Sequence, residues 1–270
     1  MIVPATWRLI IEPQPRPGAL NLAIDEAILR TVADGQAPPT LRLYAWSPPT
    51  LTLGRGQAYA DADTAALKRD GVDLVRRMTG GTAVLNRDEL TYAVAVRDDD
   101  PRLSGTISES YRPISDGLLA ALELLALHGA SAGSGDPVGA RERSPVCFEV
   151  PSAYEITVAG RKLVGSSQMR IRHGILQHGS LPLVGDIGDI GQYLTARPGR
   201  DRVRSHALTL YDALGRSVSW AEAAQALVTG FGERLNLVLE PGSLTLPERE
   251  RIGVLMVEKY GAEGWTRRVA

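Results

Sequence analysis

One cysteine, Cys147, occurs among 270 residues, and Lys162 follows fifteen positions later in the stretch SPVCFEVPSAYEITVAGRKLVGSSQ. A thiol acts as a nucleophile only as its thiolate, and a neighbouring ammonium is one of the few groups that lowers its pKa. A cysteine beside a positioned lysine therefore has the parts of an acyl-accepting site. The bland alternatives are strong. A free cysteine usually behaves as a small buried hydrophobe. A lysine next to a hairpin turn is usually a solvated charge, more so with Arg161 beside it. Two local features favour chemistry: Cys147 follows a polar loop rather than lying in an apolar strand, and Pro145 and Pro151 stiffen the chain around it. The residue types alone leave both readings open.

A second cluster is Arg76-Arg77-Met-Thr-Gly-Gly81. Its glycines fit a tight turn that needs positive φ. They equally fit a close approach of ligand to backbone, with the arginines meeting phosphate or carboxylate. No GK[ST] follows, so this is not a nucleotide P-loop, and no GxGxxG opens a βαβ unit. The four histidines are His128, His173, His178 and His206, and none lies in an HExxH or CxxC-type arrangement, so no metal site is expected. His128 is expected to cap a helix end and His173 to lie exposed in a turn. His178, on a strand among small residues, is the most site-like, with core packing as the competing reading.

The whole chain limits what these residues serve. With 44 % apolar and 23 % charged residues it has enough apolar material for a substantial core. Lys plus Arg total 30 against 31 acidic residues, which excludes a strongly basic nucleic-acid binder as the default. One cysteine cannot close an internal disulfide. The start, MIVPATWRLIIEP, lacks a basic segment followed by a long apolar run, so no signal peptide is expected. The run Leu118 to Leu127 is broken by Glu123 and too short to span a bilayer. A soluble, cytoplasmic protein without membrane or nucleic-acid partners is the expectation.

The elements that must position the site follow from periodicity. Trp7 to Glu12 reads as a strand. Ala19 to Val32 reads as a helix with Leu20, Ala23, Ile24, Ala27 and Ile28 on one stripe, Asp25 and Glu26 off it. Strands are expected at Leu41–Trp46, Thr50–Leu53, Val72–Met78, Ala83–Leu85 and Leu90–Val96. A short helix, Thr64 to Arg69, ends at Gly71, and a longer one spans Ser108 to His128. Gly129 to Pro145 reads as a loop delivering the chain to Cys147. Tyr154–Val158, Lys162–Ile171 and Ile175–Leu183 form a meander, and the remainder is helical, with capping boxes at Ser219–Glu222 and Thr245–Glu248. No repeat or long linker divides the chain. The expected class is α+β, with mixed β-sheets flanked by helices and a helical C-terminal tail.

In this order the segments resemble the biotin/lipoate protein ligase (BPL/LPL) superfamily, and within it the cysteine-dependent octanoyltransferases of the LipM type. The resemblance rests on Asn21-Leu-Ala-Ile-Asp-Glu26, Leu41-Arg-Leu-Tyr-Ala-Trp46, Pro49-Thr-Leu-Thr-Leu-Gly54, Arg76-Arg77-Met-Thr-Gly-Gly81 with Ala83-Val-Leu85, and Glu89-Leu-Thr-Tyr92. It continues through Cys147-Phe148, Pro151-Ser152, Tyr154-Glu155, Gly160-Arg-Lys162, Gly165-Ser166, Gln168 and Ile175-Leu-Gln-His-Gly-Ser-Leu181. Each piece is weak alone; their order and spacing together are specific.

The resemblance implies a catalytic domain over residues 1–240, its core at about 35–235, with 241–270 a helical extension of the same domain. It implies that Cys147 attacks octanoyl-acyl carrier protein and holds the octanoyl group as a thioester. A lysine of a lipoyl domain, glycine cleavage H protein for instance, then takes it as an amide. Lys162 matches the lysine that lowers the cysteine pKa and orients the acyl carbonyl. Arg77, Gly80, Gly81, Gly165, Ser166, His178 and Gly179 are the implied substrate-binding residues. No cofactor and no metal is implied.

One departure is Asn86, followed by Arg87, where the family usually carries a histidine. The nearest rival is an ATP-dependent lipoate–protein ligase, which needs no cysteine; Thr79-Gly-Gly-Thr82 stands where ligases more often have three glycines. A lipoyl-domain amidotransferase and a non-enzymatic acyl or carrier-protein binder are further alternatives. Because both expected protein partners are acidic, a basic steering rim of Arg76, Arg77, Arg141, Arg143, Arg161, Arg170 and Arg172 is one reading, and a solvated arginine-rich surface is the competing one.

Overall fold

The computed structural model describes residues 3–133, 145–147 and 155–269. The architecture is α+β, with two mixed sheets flanked by helices and further helices at the C-terminal end. The large sheet has eight strands. Its order is β11 (Leu237–Pro241), β1 (Ala5–Arg16), β2 (Thr40–Trp46), β6 (Glu89–Val96), β10 (Gly174–Pro182), β9 (Arg161–Ile171), β8 (Ile156–Val158) and β7 (Ala130–Ala132). The small sheet has three strands, β4 (Asp73–Arg76), β3 (Thr50–Leu53) and β5 (Val84–Asn86), with β3 central.

Every residue of β6 is buried, because both faces of the large sheet are covered. Leu90, Tyr92, Val94 and Val96 pack towards α3 (Ile107–Leu124) and α6 (Trp220–Leu235). The alternate residues Ala93 and Ala95 meet α1 (Gly18–Ala33) on the opposite face. The same period of two puts Ile175 and Leu181 of β10 on the first face and Leu176 and His178 on the second. The small sheet has its own core of Leu51, Leu53, Val72 and Ala83, closed by Ile190, Tyr193, Leu194 and Val203.

α1 departs from its expected amphipathic form. Asp25 and Glu26 lie off the apolar stripe yet are buried, because each carboxylate is fully engaged. Asp25 meets Arg42, Tyr44 and His178. Glu26 accepts from Arg30, Lys259 and Tyr260. The last two partners belong to the C-terminal segment, which covers the outer side of α1 together with α7 (Leu246–Leu255).

Three further differences concern boundaries. α3 starts on a reciprocal Thr106–Glu109 capping box and ends at Leu124, so His128 lies exposed beyond it instead of capping it. The C-terminal region, expected as helix, contains β11, which pairs in parallel with β1. The Thr245–Glu248 capping box forms as expected. Ser219 caps Glu222 at 3.1 Å, whereas the Glu222 carboxylate turns to Arg216.

Candidate active site

Cys147 is placed by a short backbone bridge to the end of the small sheet. Ala83 donates to Pro145 O at 3.0 Å and accepts from the Cys147 amide at 3.0 Å. Gln57 Nε2 adds a bond to Pro145 O at 3.2 Å. The thiol is half-buried. Lys162 opens β9 and is 1 % exposed, so it is not the solvated turn charge that its position beside Gly160 and Arg161 suggests. Its ammonium donates to Cys147 O at 2.7 Å and lies 3.7 Å from Cys147 Sγ.

A third group completes this arrangement. Glu155 Oε1 is 2.5 Å from Lys162 Nζ, with both side chains buried. Burial alone would push the lysine pKa down. The negative sulfur of Cys147 and the Glu155 carboxylate, with hydrogen bonds to both, outweigh it and raise the lysine above its ordinary value. Lys162 therefore stays charged, with its ammonium held 3.7 Å from the Cys147 sulfur. Glu155 was legible only as part of a motif. It stands immediately before β8, whose pairing with β9 shifts register between Ile156 and Thr157.

The paired arginines do different work from that expected. Arg76 is wholly buried and donates to Gly54 O and Gln57 O, and to Thr266 O of the C-terminal segment. Arg77 is also buried, and among the described residues it donates to carbonyl or hydroxyl oxygens of Thr52, Gly80 and Thr82. Burial lowers its pKa, an effect partly offset by the negative charge of Cys147. Neither side chain can belong to an exposed steering rim. Arg161 and Arg170 are half-buried and Arg172 is exposed, while Arg141 and Arg143 lie outside the described residues.

Gly80 and Gly81 are exposed at the turn after Arg77. Gly81 has φ +83°, and a Cβ there would sit 2.9 Å from Arg77 Nη2 and 3.7 Å from Cys147 Sγ. At Gly54 a Cβ would come within 1.8 Å of Gly81 O, so the end of β3 and this turn touch through glycine backbone.

A cavity open to solvent lies beside Cys147. Of the residues singled out in the sequence, Arg77, Gly165, Ser166, His178 and Gly179 line it together with Cys147, while Gly80 and Gly81 do not. Leu22, Tyr44, Trp46 and Val84 supply much of its apolar wall. Gly179 leaves the space through which Tyr92 reaches Ser166; its Cβ would lie 2.6 Å from Tyr92 Cε1, and the two hydroxyls are 2.7 Å apart. Asn86 also lines the cavity, with its amide committed to Thr50 O, Thr52 Oγ1 and Val84 O at 3.1–3.3 Å. The Asn86 side chain thus ties β5 to β3.

His178 resolves its two sequence readings by doing both. It is buried, and its Nδ1 lies 3.1 Å from Asp25 Oδ2 and its Nε2 2.8 Å from Thr79 Oγ1. Thr79 in turn accepts from Ser167 Oγ at 2.8 Å. Asp25 and Thr79 fall inside the resembling segments without a role of their own, and Ser167 carries no mark in the sequence. Phe148, Pro151, Ser152 and Tyr154 of the expected catalytic stretch lie outside the described residues. Among the described residues no group of three His, Cys, Asp or Glu is placed to hold a metal ion. No helix among them is long and apolar enough to cross a membrane.

The lipoyl protein ligase A/B catalytic domain matches residues 17–232, which include the small sheet, the cavity lining and every strand of the large sheet except β1 and β11. The chain belongs to this family. Octanoyltransferase LipM of Symbiobacterium thermophilum is 41 % identical over 275 aligned positions, which cover 97 % of this chain and 98 % of that protein. Octanoyltransferase LipM of Kyrpidia tusciae is 42 % identical, covering 97 % of this chain and 99 % of that one. Among solved structures, lipoate-protein ligase A bound with ATP superposes with a TM-score of 0.80 at 25 % identity, over 98 % of this chain and 100 % of the other. The putative lipoate protein ligase Ta0514 of T. acidophilum with bound lipoic acid gives 0.79 at 25 % identity, over 97 % and 99 % of the two chains.

Proposed function

We propose that this protein is an octanoyltransferase of lipoate biosynthesis that works through a cysteine thioester. The observation that carries the reading is the placement of Cys147 Sγ, 3.7 Å from a buried ammonium, at a largely apolar cavity. The full-length relatives named as octanoyltransferases support the group transferred.

In the first half-reaction the Cys147 thiolate attacks the thioester carbonyl of octanoyl-acyl carrier protein. The new C–S bond forms, the old one breaks with its electron pair going to the carrier sulfur, and that thiolate takes a proton from water in place of the one Cys147 gave up. Thioester exchange is nearly isoenergetic, so neither ATP nor a metal is needed for this step. Lys162 stabilises the attacking sulfur and holds the loop carbonyl of Cys147. In the second half-reaction the ε-amine of a lysine on a lipoyl domain, with glycine cleavage H protein as the expected acceptor, displaces Cys147. Formation of the more stable amide makes the sequence run forward. The cavity beside Cys147 would take the octanoyl chain.

Intact mass spectrometry after mixing with octanoyl-acyl carrier protein, without ATP, tests this. One octanoyl adduct is expected, and it should be absent in Cys147→Ala. Modification of a lipoyl domain that requires ATP and survives Cys147→Ala would overturn the reading in favour of a lipoate–protein ligase.

A further inference from the structure

An acceptor lysine arrives as an ammonium and must lose a proton before it can attack a thioester. Lys162 cannot take that proton, because its own nitrogen is held charged between Glu155 and Cys147. Another acceptor is needed on the wall of the same cavity. We propose that Ser167, Thr79, His178 and Asp25 form a directional proton relay that accepts the proton of the incoming lysine ammonium. The inference rests on the cysteine-thioester reading above.

The direction of the relay follows from what each atom can do. Asp25 is an ionised carboxylate whose Oδ1 accepts from Arg42 at 2.7 Å and whose Oδ2 accepts from Tyr44 at 2.8 Å. Burial disfavours that charge, but the hydrogen bond from His178 and the charge of Arg42 hold the carboxyl below its ordinary range. An ionised carboxylate only accepts, so His178 Nδ1 carries the hydrogen across the 3.1 Å contact. In the neutral ring Nε2 is then an acceptor. Thr79 already accepts from Ser167 at 2.8 Å, so its single hydroxyl proton goes to Nε2, also at 2.8 Å. Every donor in the chain points inward. The lone pairs left over belong to Ser167 Oγ, a half-buried group on the cavity wall that Cys147 shares.

The surroundings favour a proton entering at Ser167. Asp25 faces the ring from α1 and stabilises the imidazolium that forms, as a carboxylate does for a catalytic histidine. Arg42, from β2, is turned to Asp25 rather than to the ring. Arg77 and Cys147 lie on the same cavity, outside the hydrogen-bonded chain. In the proposed step the ammonium gives its proton to Ser167 Oγ, Ser167 passes its own to Thr79, and Thr79 passes its own to His178 Nε2. The free amine then forms the C–N bond and the thioester C–S bond breaks, with its electron pair going to Sγ. The second nitrogen proton leaves with the sulfur as the Cys147 thiol, and the imidazolium later returns its proton to water. Ser167 is the group that would touch the acceptor; Thr79, His178 and Asp25 act through it as positioning and proton-accepting residues.

The test uses the octanoylated protein, its loading quantified by intact mass, and compares two acceptors in single turnover. One is the lysine of a lipoyl domain, an ammonium at neutral pH. The other is hydroxylamine, already neutral there and in no need of a base before attack. Thr79→Val is nearly isosteric and removes the relay hydroxyl, while Thr79→Ser keeps it. Thr79→Val should lower the ratio of lysine to hydroxylamine transfer by about 100-fold, and Thr79→Ser should restore it. A distorted turn would instead slow both acceptors alike, and that result, or an unchanged ratio, overturns the relay. If the unsubstituted protein gains no octanoyl group at Cys147, the thioester reading itself fails and the relay falls with it.

Discussion

The Lys162 ammonium is closer to the Glu155 carboxylate, at 2.5 Å, than to the Cys147 sulfur, at 3.7 Å. The cation beside the thiol is therefore also half of a buried ion pair. Removing one partner of such a pair strands the other charge in the interior and typically destabilises by about 3–5 kcal/mol, whereas replacing both with apolar groups is often neutral. Lys162→Met should lose stability in that range. The double variant Lys162→Met with Glu155→Leu should recover most of it in urea unfolding. Octanoyl loading of Cys147 should stay abolished in both, because the ammonium is missing from each. Recovery of loading in the double variant would show that Lys162 serves only to neutralise Glu155.

A second buried carboxyl titrates within an accessible pH range. Burial pushes the Glu89 pKa up to about 7, although hydrogen bonds from Ser180 and Thr91 oppose the rise. The unfolded chain releases this proton near 4.5, so between these values the folded state holds more protons. The stability linked to Glu89 is full below 4.5 and is lost as the pH rises to about 7. The loss amounts to roughly 3 kcal/mol. Glu89→Gln, neutral throughout, should gain on the unsubstituted protein by about that amount between pH 4.5 and 8. Denaturant midpoints measured across this range check it; parallel curves would mean that Glu89 is not protonated in the fold.

Much of the fold is legible in the sequence because it rests on local pattern. The strands from Leu41 to Val96, the meander through Lys162 and the Thr245 capping box all follow from periodicity and terminal residue types. What is not legible depends on pairing between distant segments. β11 is a short strand, LVLEP, whose identity comes from β1 lying beside it in parallel. Asp25 and Glu26 read as surface charges on an amphipathic helix because the sequence does not reveal that β2 and the C-terminal segment supply Arg42 and Lys259. Arg76 and Arg77 suggest an exposed basic patch, but their donors meet backbone carbonyls of strand ends and turns. At the site, residue type marks Cys147 and Lys162. Glu155, Thr79 and Ser167 owe their places to how distant segments come together, which residue type does not show.

Asn86 gives a prediction about the cavity wall. Its amide nitrogen is shared among three oxygen acceptors of β3 and β5 and is shielded from water. Asn86→Ala removes one donor from each of those acceptors and opens space at the cavity wall. A loss of about 1–3 kcal/mol is expected. Because β5 leads back through Ala83 to the Cys147 bridge, octanoyl loading should slow as well. Asn86→Asp should be worse than alanine, since a carboxylate presents only acceptors to acceptors. Thermal melts together with loading rates separate these outcomes.

Two glycines where β3 meets the 80–82 turn should respond differently to one added methyl. At Gly80 nothing lies within 4 Å of where a Cβ would stand and φ is not positive, so Gly80→Ala should shift stability by no more than about 0.5 kcal/mol. At Gly54 the same carbon would lie 1.8 Å from Gly81 O and 2.7 Å from Gly81 C, both backbone atoms that cannot rotate away. Relief requires β3 or the 80–82 turn to move, at a cost of about 1–3 kcal/mol or more. The turn carries Gly81, whose Cβ position touches both Arg77 and Cys147, and Ala83 just after it fixes the Cys147 amide. Gly54→Ala should therefore lower the melting temperature and reduce octanoyl loading at Cys147 with the nucleophile intact. Equal behaviour of the two variants would mean that the turn is not braced against β3, and that Cys147 is positioned from the Lys162 side alone.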